Sequence, residues 1–171
     1  MERRSRMNAL LRSSCFAFIV PILLASSAAS QKQDNSPAFA CLLTKLDAAQ
    51  VELQNGKAEA FKSLWSQSED ITLSGGFGGT IEKGWAAISK RLDWIGANLS
   101  KGKNSIDRLV TQESGKLGYV VQLEHISFVA PQTGKDATRD YRVTMIFRRE
   151  KDGWRIVHRQ ADSNLTKQAP Q

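Results

Sequence analysis

His158 and Asp162 are the two side chains whose types and spacing best suit acid–base chemistry in this chain. They lie in the segment His-Arg-Gln-Ala-Asp, with Gln160 midway between them. Residues two apart on a β-strand share a face, so an imidazole, an amide and a carboxylate would line one side. A histidine or a carboxylate can take a proton from the carbon beside a carbonyl group, whereas an amide only hydrogen-bonds. We therefore predict His158 and Asp162 as candidate catalytic residues and Gln160 as a ligand contact.

The same three side chains have two other interpretations. They could orient a bound ligand without reacting with it. Alternatively, His158 could be a buried strand residue that hydrogen-bonds to Asp162 and serves the structure alone. The sequence leaves all three roles open.

The Asp152-Gly153 pair predicts a tight hairpin between the last two strands, and this hairpin determines which side chains share a face. A two-residue loop at this point would pair Met145 with Gln160. Tyr141 would then lie on the same face, in a row of apolar side chains with polar groups at one end. Because that arrangement is typical of a ligand cavity, Tyr141 and Met145 are predicted ligand contacts.

The segment LGYVVQLEHISFVA predicts a long strand whose buried side changes part-way. Its apolar residues occupy odd positions near Tyr119 and even positions from Ile126 onward. The change predicts a β-bulge at Glu124-His125, which would bend the sheet and form a cavity mouth. Tyr119 is a further predicted ligand contact, and either Tyr119 or Tyr141 could donate a hydrogen bond to an enolate oxygen. We expect His125 to be structural or exposed.

Metal and cofactor chemistry is not predicted. The chain has only two histidines and two cysteines, and no His or Cys spacing typical of a metal site. Cys41 lies among apolar residues in a helical pattern, so we expect a buried, inert thiol. The glycine-rich SGGFGG segment lacks the Gly-Lys-Ser/Thr ending of a phosphate-binding loop and is predicted to be a connecting loop.

Three helices followed by strands must position these residues. Ser36-Pro37 is a typical helix start, and apolar spacing predicts helices over about 37–54, 57–66 and 83–100. Trp94 lies off the apolar stripe of the third helix, so we predict it at a cavity mouth or an interface. Strands are predicted at 70–74, 106–113, 117–129, 138–150 and 154–162. The fold class is α+β, with a curved antiparallel sheet packed on the three N-terminal helices.

The order of these elements resembles the SnoaL-like, nuclear transport factor 2-like superfamily, in the group of ketosteroid isomerase homologues. The resemblance is carried by LWSQSEDITLSGGFGG, KGWAAISKRLDWI and RVTMIFRREKDGWRIVHRQAD, and it covers residues 38–165. It implies a cone-shaped sheet around an apolar cavity, with frequent dimerisation through the outer face of the sheet. The final motif of this group often reads His-Arg-His-Ala-Asp, whereas this chain has Gln160 at the second histidine.

Two functions are compatible with that resemblance. We expect an apolar cavity that binds a small hydrophobic molecule. The alternative is a cofactor-independent isomerase or dehydratase that acts on a small carbonyl compound. A homodimer is the expected assembly.

The first 30 residues have the three parts of a secretory signal peptide: a basic start, the apolar run CFAFIVPILLA and a small-residue cleavage region. Removal of residues 1–30 takes away four arginines and one glutamate and lowers the formal charge from +7 to +4. The remaining charge is ordinary and dispersed, which argues against nucleic-acid binding. We therefore expect an exported protein without a stable membrane anchor, with polar tails at 31–37 and 166–171.

Overall fold

The computed structural model describes residues 35–163 of the chain. The predicted signal peptide, most of the N-terminal tail and the C-terminal tail lie outside these residues. None of the helices that the structure describes is long and apolar enough to cross a membrane.

The helices begin and end close to where the sequence predicts. Helix α1 covers Pro37–Leu53, α2 Glu59–Lys62 and α3 Trp85–Ala97. The hydroxyl of Ser36 caps α1 by accepting a hydrogen bond from the amide of Phe39 at 3.3 Å. Helix α2 is shorter than expected. The expectation for Cys41 is wrong, because its thiol is exposed on the outer side of α1.

Six strands form one mixed sheet in the order β2-β1-β6-β5-β4-β3. The strands are β1 Thr72–Ser74, β2 Glu82–Lys83, β3 Ser100–Ser114, β4 Leu117–Ala130, β5 Lys135–Glu150 and β6 Gly153–Asp162. Strands β3 to β6 form the expected antiparallel meander. The short strand β1 joins β6 in parallel, so the sheet is not antiparallel throughout.

The helices pack on one face of this sheet, which we call the inner face. Phe39 from α1 contacts Phe147 and Trp154, with ring centroids 5.3 and 4.9 Å apart. Each such large apolar side chain contributes about 1.5–3 kcal/mol when it is fully buried. The opposite side of the sheet is the outer face.

The predicted pairing between β5 and β6 is wrong. Glu150 pairs with Gly153, and Phe147 pairs with Ile156, but Ile146 then pairs with His158. One extra residue, Val157, interrupts the register at this point. Because side chains alternate along a strand, the interruption exchanges the two faces for everything that follows. His158, Gln160 and Asp162 therefore lie on the outer face.

The bulge predicted at Glu124-His125 is also wrong. Strand β4 pairs with β5 without interruption, and its even-numbered residues are buried along almost its whole length. The irregularity lies on the neighbouring strand instead, between Arg108 and Val110. The polar residues Gln122 and Glu124 thus face inward, at 1% and 2% exposure.

Candidate functional site

A cavity of about 60 Å³ lies between the helices and the inner face of the sheet. Most of its wall is apolar and comes from α1 to α3, β1, β4 and the short link between α3 and β3. These residues are Leu53, Phe61, Leu73, Leu92, Ile95, Leu99 and Ile126. Five polar side chains also line the cavity, Gln50, Gln54, Glu124, Tyr141 and Arg159, and the glycine-rich loop contributes Gly75, Gly76 and Phe77. The cavity therefore has the composition of a small-molecule site, apolar with a few polar groups.

Glu124 is the centre of the polar end. Its Oε1 accepts hydrogen bonds from the side-chain amides of Gln50 at 2.8 Å and Gln122 at 2.7 Å. Its Oε2 accepts one from Nη2 of Arg159 at 2.7 Å. The Arg159 side chain is 12% exposed, so this is a nearly buried ion pair whose hydrogen bonds offset the cost of desolvation.

A second ion pair fixes the orientation of Gln122. Its Oε1 accepts a hydrogen bond from Nε of Arg108 at 3.0 Å, and Arg108 in turn binds Asp47 on α1 at 2.6 Å. The amide nitrogen of Gln122 is therefore turned toward Glu124. This chain of contacts ties β3, β4 and α1 together behind the cavity.

Gln54 is held in place by the start of β3. A side chain at Gly102 would bring its Cβ within 2.3 Å of the Cβ of Gln54, so only glycine permits this approach. The side chain of Asn55 also hydrogen-bonds both backbone groups of Gly102, each at 3.0 Å. The last turn of α1 is thereby fixed against the sheet.

Four polar atoms in the cavity have no hydrogen-bond partner among the residues that the structure describes. They are the hydroxyl of Tyr141, Nε of Arg159 and the side-chain oxygens of Gln50 and Gln54. Burial raises the pKa of the Tyr141 hydroxyl, so it stays protonated and can donate a hydrogen bond. Buried polar groups are normally paired, so these four atoms are exceptions among the described residues.

The glycine-rich loop closes the cavity with an aromatic side chain. Phe77 lines the cavity. Its ring packs against the rings of Trp94, Phe128 and Tyr141, with ring centroids 6.0 to 6.2 Å apart. The backbone of Gly76 packs directly against the ring of Tyr141. A Cβ at this position would lie 2.3 Å from the ring, so a larger residue would clash. Phe77 is therefore a wall between the cavity and the surface.

The predicted catalytic residues do not reach this cavity. The Nδ1 atom of His158 lies 2.7 Å from the hydroxyl of Thr72 on the outer face, where burial lowers the pKa of the imidazole. Asp162 forms an exposed ion pair with Arg142 at 2.5 Å. Gln160 lies beside Asp162 in an open groove next to the glycine-rich loop. The prediction that these three side chains face the cavity is wrong because of the extra residue at position 157.

The predicted ligand contacts have different locations. Tyr141 lines the cavity, as expected. Trp94 is not among the residues that line the cavity; its ring lies against that of Phe77, and it is 46% exposed. Met145 is fully buried in the core, and Tyr119 is 42% exposed on the outer face.

Four polar residues that were not predicted carry the site together with Glu124, which was predicted at a bend near a cavity mouth: Gln50, Gln54, Gln122 and Arg159. A signal for the first two was present, since Gln50 and Gln54 are four residues apart in line with the apolar stripe of α1. In β4, Gln122 and Glu124 alternate in phase with Ile126. Arg159 had no comparable signal, because its facing depends on the bulge in β6.

Residues 44–162 match the family model of the SnoaL-like domain. The chain belongs to the SnoaL-like domain family. No curated protein shows significant sequence similarity to it.

Solved structures share the fold of this SnoaL-like domain at low sequence identity. An NTF2-like superfamily protein from Salmonella enterica serovar Typhimurium is 17% identical, with a TM-score of 0.63 over 77% of this chain and 96% of that chain. A candidate dehydratase of the NTF2-like family from Streptomyces avermitilis is 19% identical, with a TM-score of 0.64 over 75% and 95%. The CaMKII hub of S. rosetta is 24% identical, with a TM-score of 0.58 over 76% and 98%.

The SnoaL-like domain offers no evident metal ligands in its described part. Within residues 35–163, no group of three or more His, Cys, Asp or Glu side chains is placed to hold a metal ion. The polar end of the cavity is instead an ion pair with amide and hydroxyl groups.

Proposed function

We propose that this domain binds a small, largely apolar molecule in the interior cavity and holds one polar group of that molecule at Tyr141 and Arg159. One observation carries the proposal: within residues 35–163, the buried hydroxyl of Tyr141 and Nε of Arg159 have no hydrogen-bond partner, and both residues line a cavity whose wall is mostly apolar. Leaving a donor unpaired costs about 1–3 kcal/mol. A ligand with a carbonyl oxygen would recover that cost.

Binding is favoured over catalysis by the environment of Glu124, the one carboxylate among the described residues that line the cavity. Three of its roughly four acceptor positions are used by Gln50, Gln122 and Arg159. A general base must be free to accept a proton from the substrate. The other proposed acid–base residues, His158 and Asp162, lie on the outer face. The isomerase or dehydratase alternative therefore loses its two candidate bases and keeps Tyr141 as its candidate donor.

The binding proposal can be tested with 3-methyl-2-butanone, a small branched ketone, by ligand-observed NMR titration. We expect saturable binding, and we expect Tyr141→Phe to weaken it about 2- to 10-fold, the value of one neutral hydrogen bond of about 0.5–1.5 kcal/mol. Tyr119→Phe is the matched control, because that tyrosine is exposed on the outer face. Equal affinity in wild type and Tyr141→Phe would contradict the assignment of the site.

We also propose that two copies of the domain associate through the outer face. Leu117, Tyr119 and Ile146 are 56%, 42% and 37% exposed there, which is unusual for large apolar side chains on adjacent strands. Ile146→Lys should produce a monomer in analytical ultracentrifugation. Ile81→Lys, at an apolar residue outside the sheet face, should leave the assembly unchanged. A wild-type monomer at high concentration would refute the proposal.

We further propose that the protein is exported, because residues 1–30 have the composition of a signal peptide. Export would place the binding cavity outside the cytoplasm. The mass of the chain recovered from the periplasm or medium provides the check. It should correspond to cleavage near residues 28–30, and recovery of the full-length chain from the cytoplasm alone would contradict export.

A further inference from the structure

We propose that the ligand of the interior cavity is uncharged and carries both a hydrogen-bond acceptor and a hydrogen-bond donor, as a primary amide or a small hydroxy ketone does. This inference rests on the proposed binding function and specifies the chemical class of the ligand. It excludes carboxylates and other anions, although an arginine lines the cavity.

The first argument is the balance of charge. Arg159 is already paired with Glu124 at 2.7 Å, and both side chains are almost closed to solvent. Glu124 and Arg159 are the two charged side chains among the described lining residues, so their charges cancel. Behind them, Arg108 is paired with Asp47. A bound anion would add a second negative charge beside Glu124, and the described residues that line the cavity contain no unpaired cationic side chain to compensate it.

The second argument is the set of unpaired atoms. The hydroxyl of Tyr141 and Nε of Arg159 are donors, and they call for an acceptor on the ligand. The side-chain oxygens of Gln50 and Gln54 are acceptors, and they call for a donor. The orientation of Gln50 follows from its contacts, because its amide nitrogen donates to Glu124 at 2.8 Å. A ligand with an acceptor alone would leave both glutamine oxygens unpaired.

Four compounds of nearly equal size and shape test this inference: isobutyramide, 3-methyl-2-butanone, isobutyrate and 2,3-dimethylbutane. They carry, respectively, an acceptor with a donor, an acceptor alone, a charged acceptor, and neither group. We expect the amide to bind tightest, the ketone about 2- to 10-fold more weakly for the loss of one hydrogen bond, and the carboxylate at least about 10-fold more weakly than the amide. The titration is carried out at pH 7 by ligand-observed NMR.

Failure of this inference and failure of the proposed function give different results. If isobutyrate binds as tightly as isobutyramide, the inference of a neutral ligand is wrong while the binding function stands. If the ketone binds as tightly as the amide, the need for a donor is wrong. If none of the four compounds binds, the proposed function itself is wrong.

Two variants test the two arguments separately. Glu124→Gln removes the negative charge and leaves Arg159 free, so preference should shift from the amide toward isobutyrate. Gln54→Leu removes an acceptor, so it should weaken the amide about 2- to 10-fold and leave the ketone unchanged. Gln132→Leu, at an exposed glutamine, is the control for the second variant.

Gln54→Leu keeps the inference testable if Glu124→Gln does not fold. A loss of equal size for the amide and the ketone in Gln54→Leu would overturn the role of Gln54 as the acceptor for a ligand donor. An unchanged preference for the amide in folded Glu124→Gln would overturn the charge argument.

Discussion

On the inner face of the sheet, Glu124 and Arg159 form an ion pair at 2% and 12% side-chain exposure, whereas Asp162 and Arg142 on the outer face form one at 41% and 56%. The two pairs have the same chemistry and similar geometry. In the interior, water cannot replace a lost partner, so the pairing there is obligatory. On the surface, water and salt can replace it, so the pairing there is weak.

The two faces also differ in where histidine occurs. His125 and His158, the two histidines of the chain, both lie on the outer face, where they contact Asp140 and Thr72. The inner face uses glutamine, glutamate, arginine and tyrosine instead. The cavity is therefore built to hold hydrogen-bonding groups at fixed protonation, and the side chains that titrate near neutral pH are outside it.

Replacing the carboxylate residue of each ion pair with leucine should give the largest difference in the free energy of unfolding between the two faces. Glu124→Leu leaves Arg159 buried without a partner, and we expect the free energy of unfolding to fall by about 3–5 kcal/mol. Asp162→Leu leaves an exposed arginine, and the expected loss is below about 1 kcal/mol. Urea unfolding of both variants against wild type measures the difference. Equal losses would mean that the inner pair is as accessible to water as the outer one.

Removing the hydroxyl group of each tyrosine should change stability by a smaller amount, and at Tyr141 in the opposite direction. Tyr141→Phe removes a buried hydroxyl that has no partner within residues 35–163, so the ligand-free variant should be more stable by about 1 kcal/mol. Tyr119→Phe changes an exposed hydroxyl and should stay within about 0.5 kcal/mol of wild type. Thermal unfolding without ligand checks both. A destabilised Tyr141→Phe variant would mean that the hydroxyl serves the fold and not a ligand.

Much of the fold could be predicted because its signals are local. Ser36-Pro37 predicts the start of α1, and the turn residues between the strands predict a four-stranded meander. These features depend on caps, turns and apolar spacing over a few residues. The structure confirms the α+β fold, and Tyr141 lines the cavity as predicted.

The candidate site was mostly missed because local spacing marks four of its polar residues only weakly and leaves the facing of Arg159 undetermined. The single extra residue Val157 reverses the facing of His158 and Arg159, and nothing in the segment itself marks a bulge. Glu124 is buried because Gln50, distant in sequence, donates a hydrogen bond to it. A prediction that treats every polar residue as exposed therefore places Glu124 and Gln50 at the surface.

The pKa values of the two outer-face histidines should be shifted in opposite directions. This is the smallest of the expected effects. Burial lowers the pKa of His158, and the hydrogen bond to Asp140 raises the pKa of His125, each from an ordinary value of about 6.5. The contribution of His158 to stability is therefore present above pH 6.5 and lost as the pH falls below it. The contribution of His125 is present below pH 6.5 and lost as the pH rises through its folded-state pKa.

An NMR titration of the two imidazole resonances measures both values in one sample. His158→Gln should flatten the rise of stability with pH below pH 6.5, and His125→Gln should flatten the fall above pH 6.5. The interior ion pair contains no histidine, so binding of an uncharged ligand should change little between pH 6 and 8 if the cavity is insulated from the outer face. An affinity that follows the titration of His158 would show that the two faces are coupled through β6. The claim that the cavity is independent of the outer-face histidines would then be wrong.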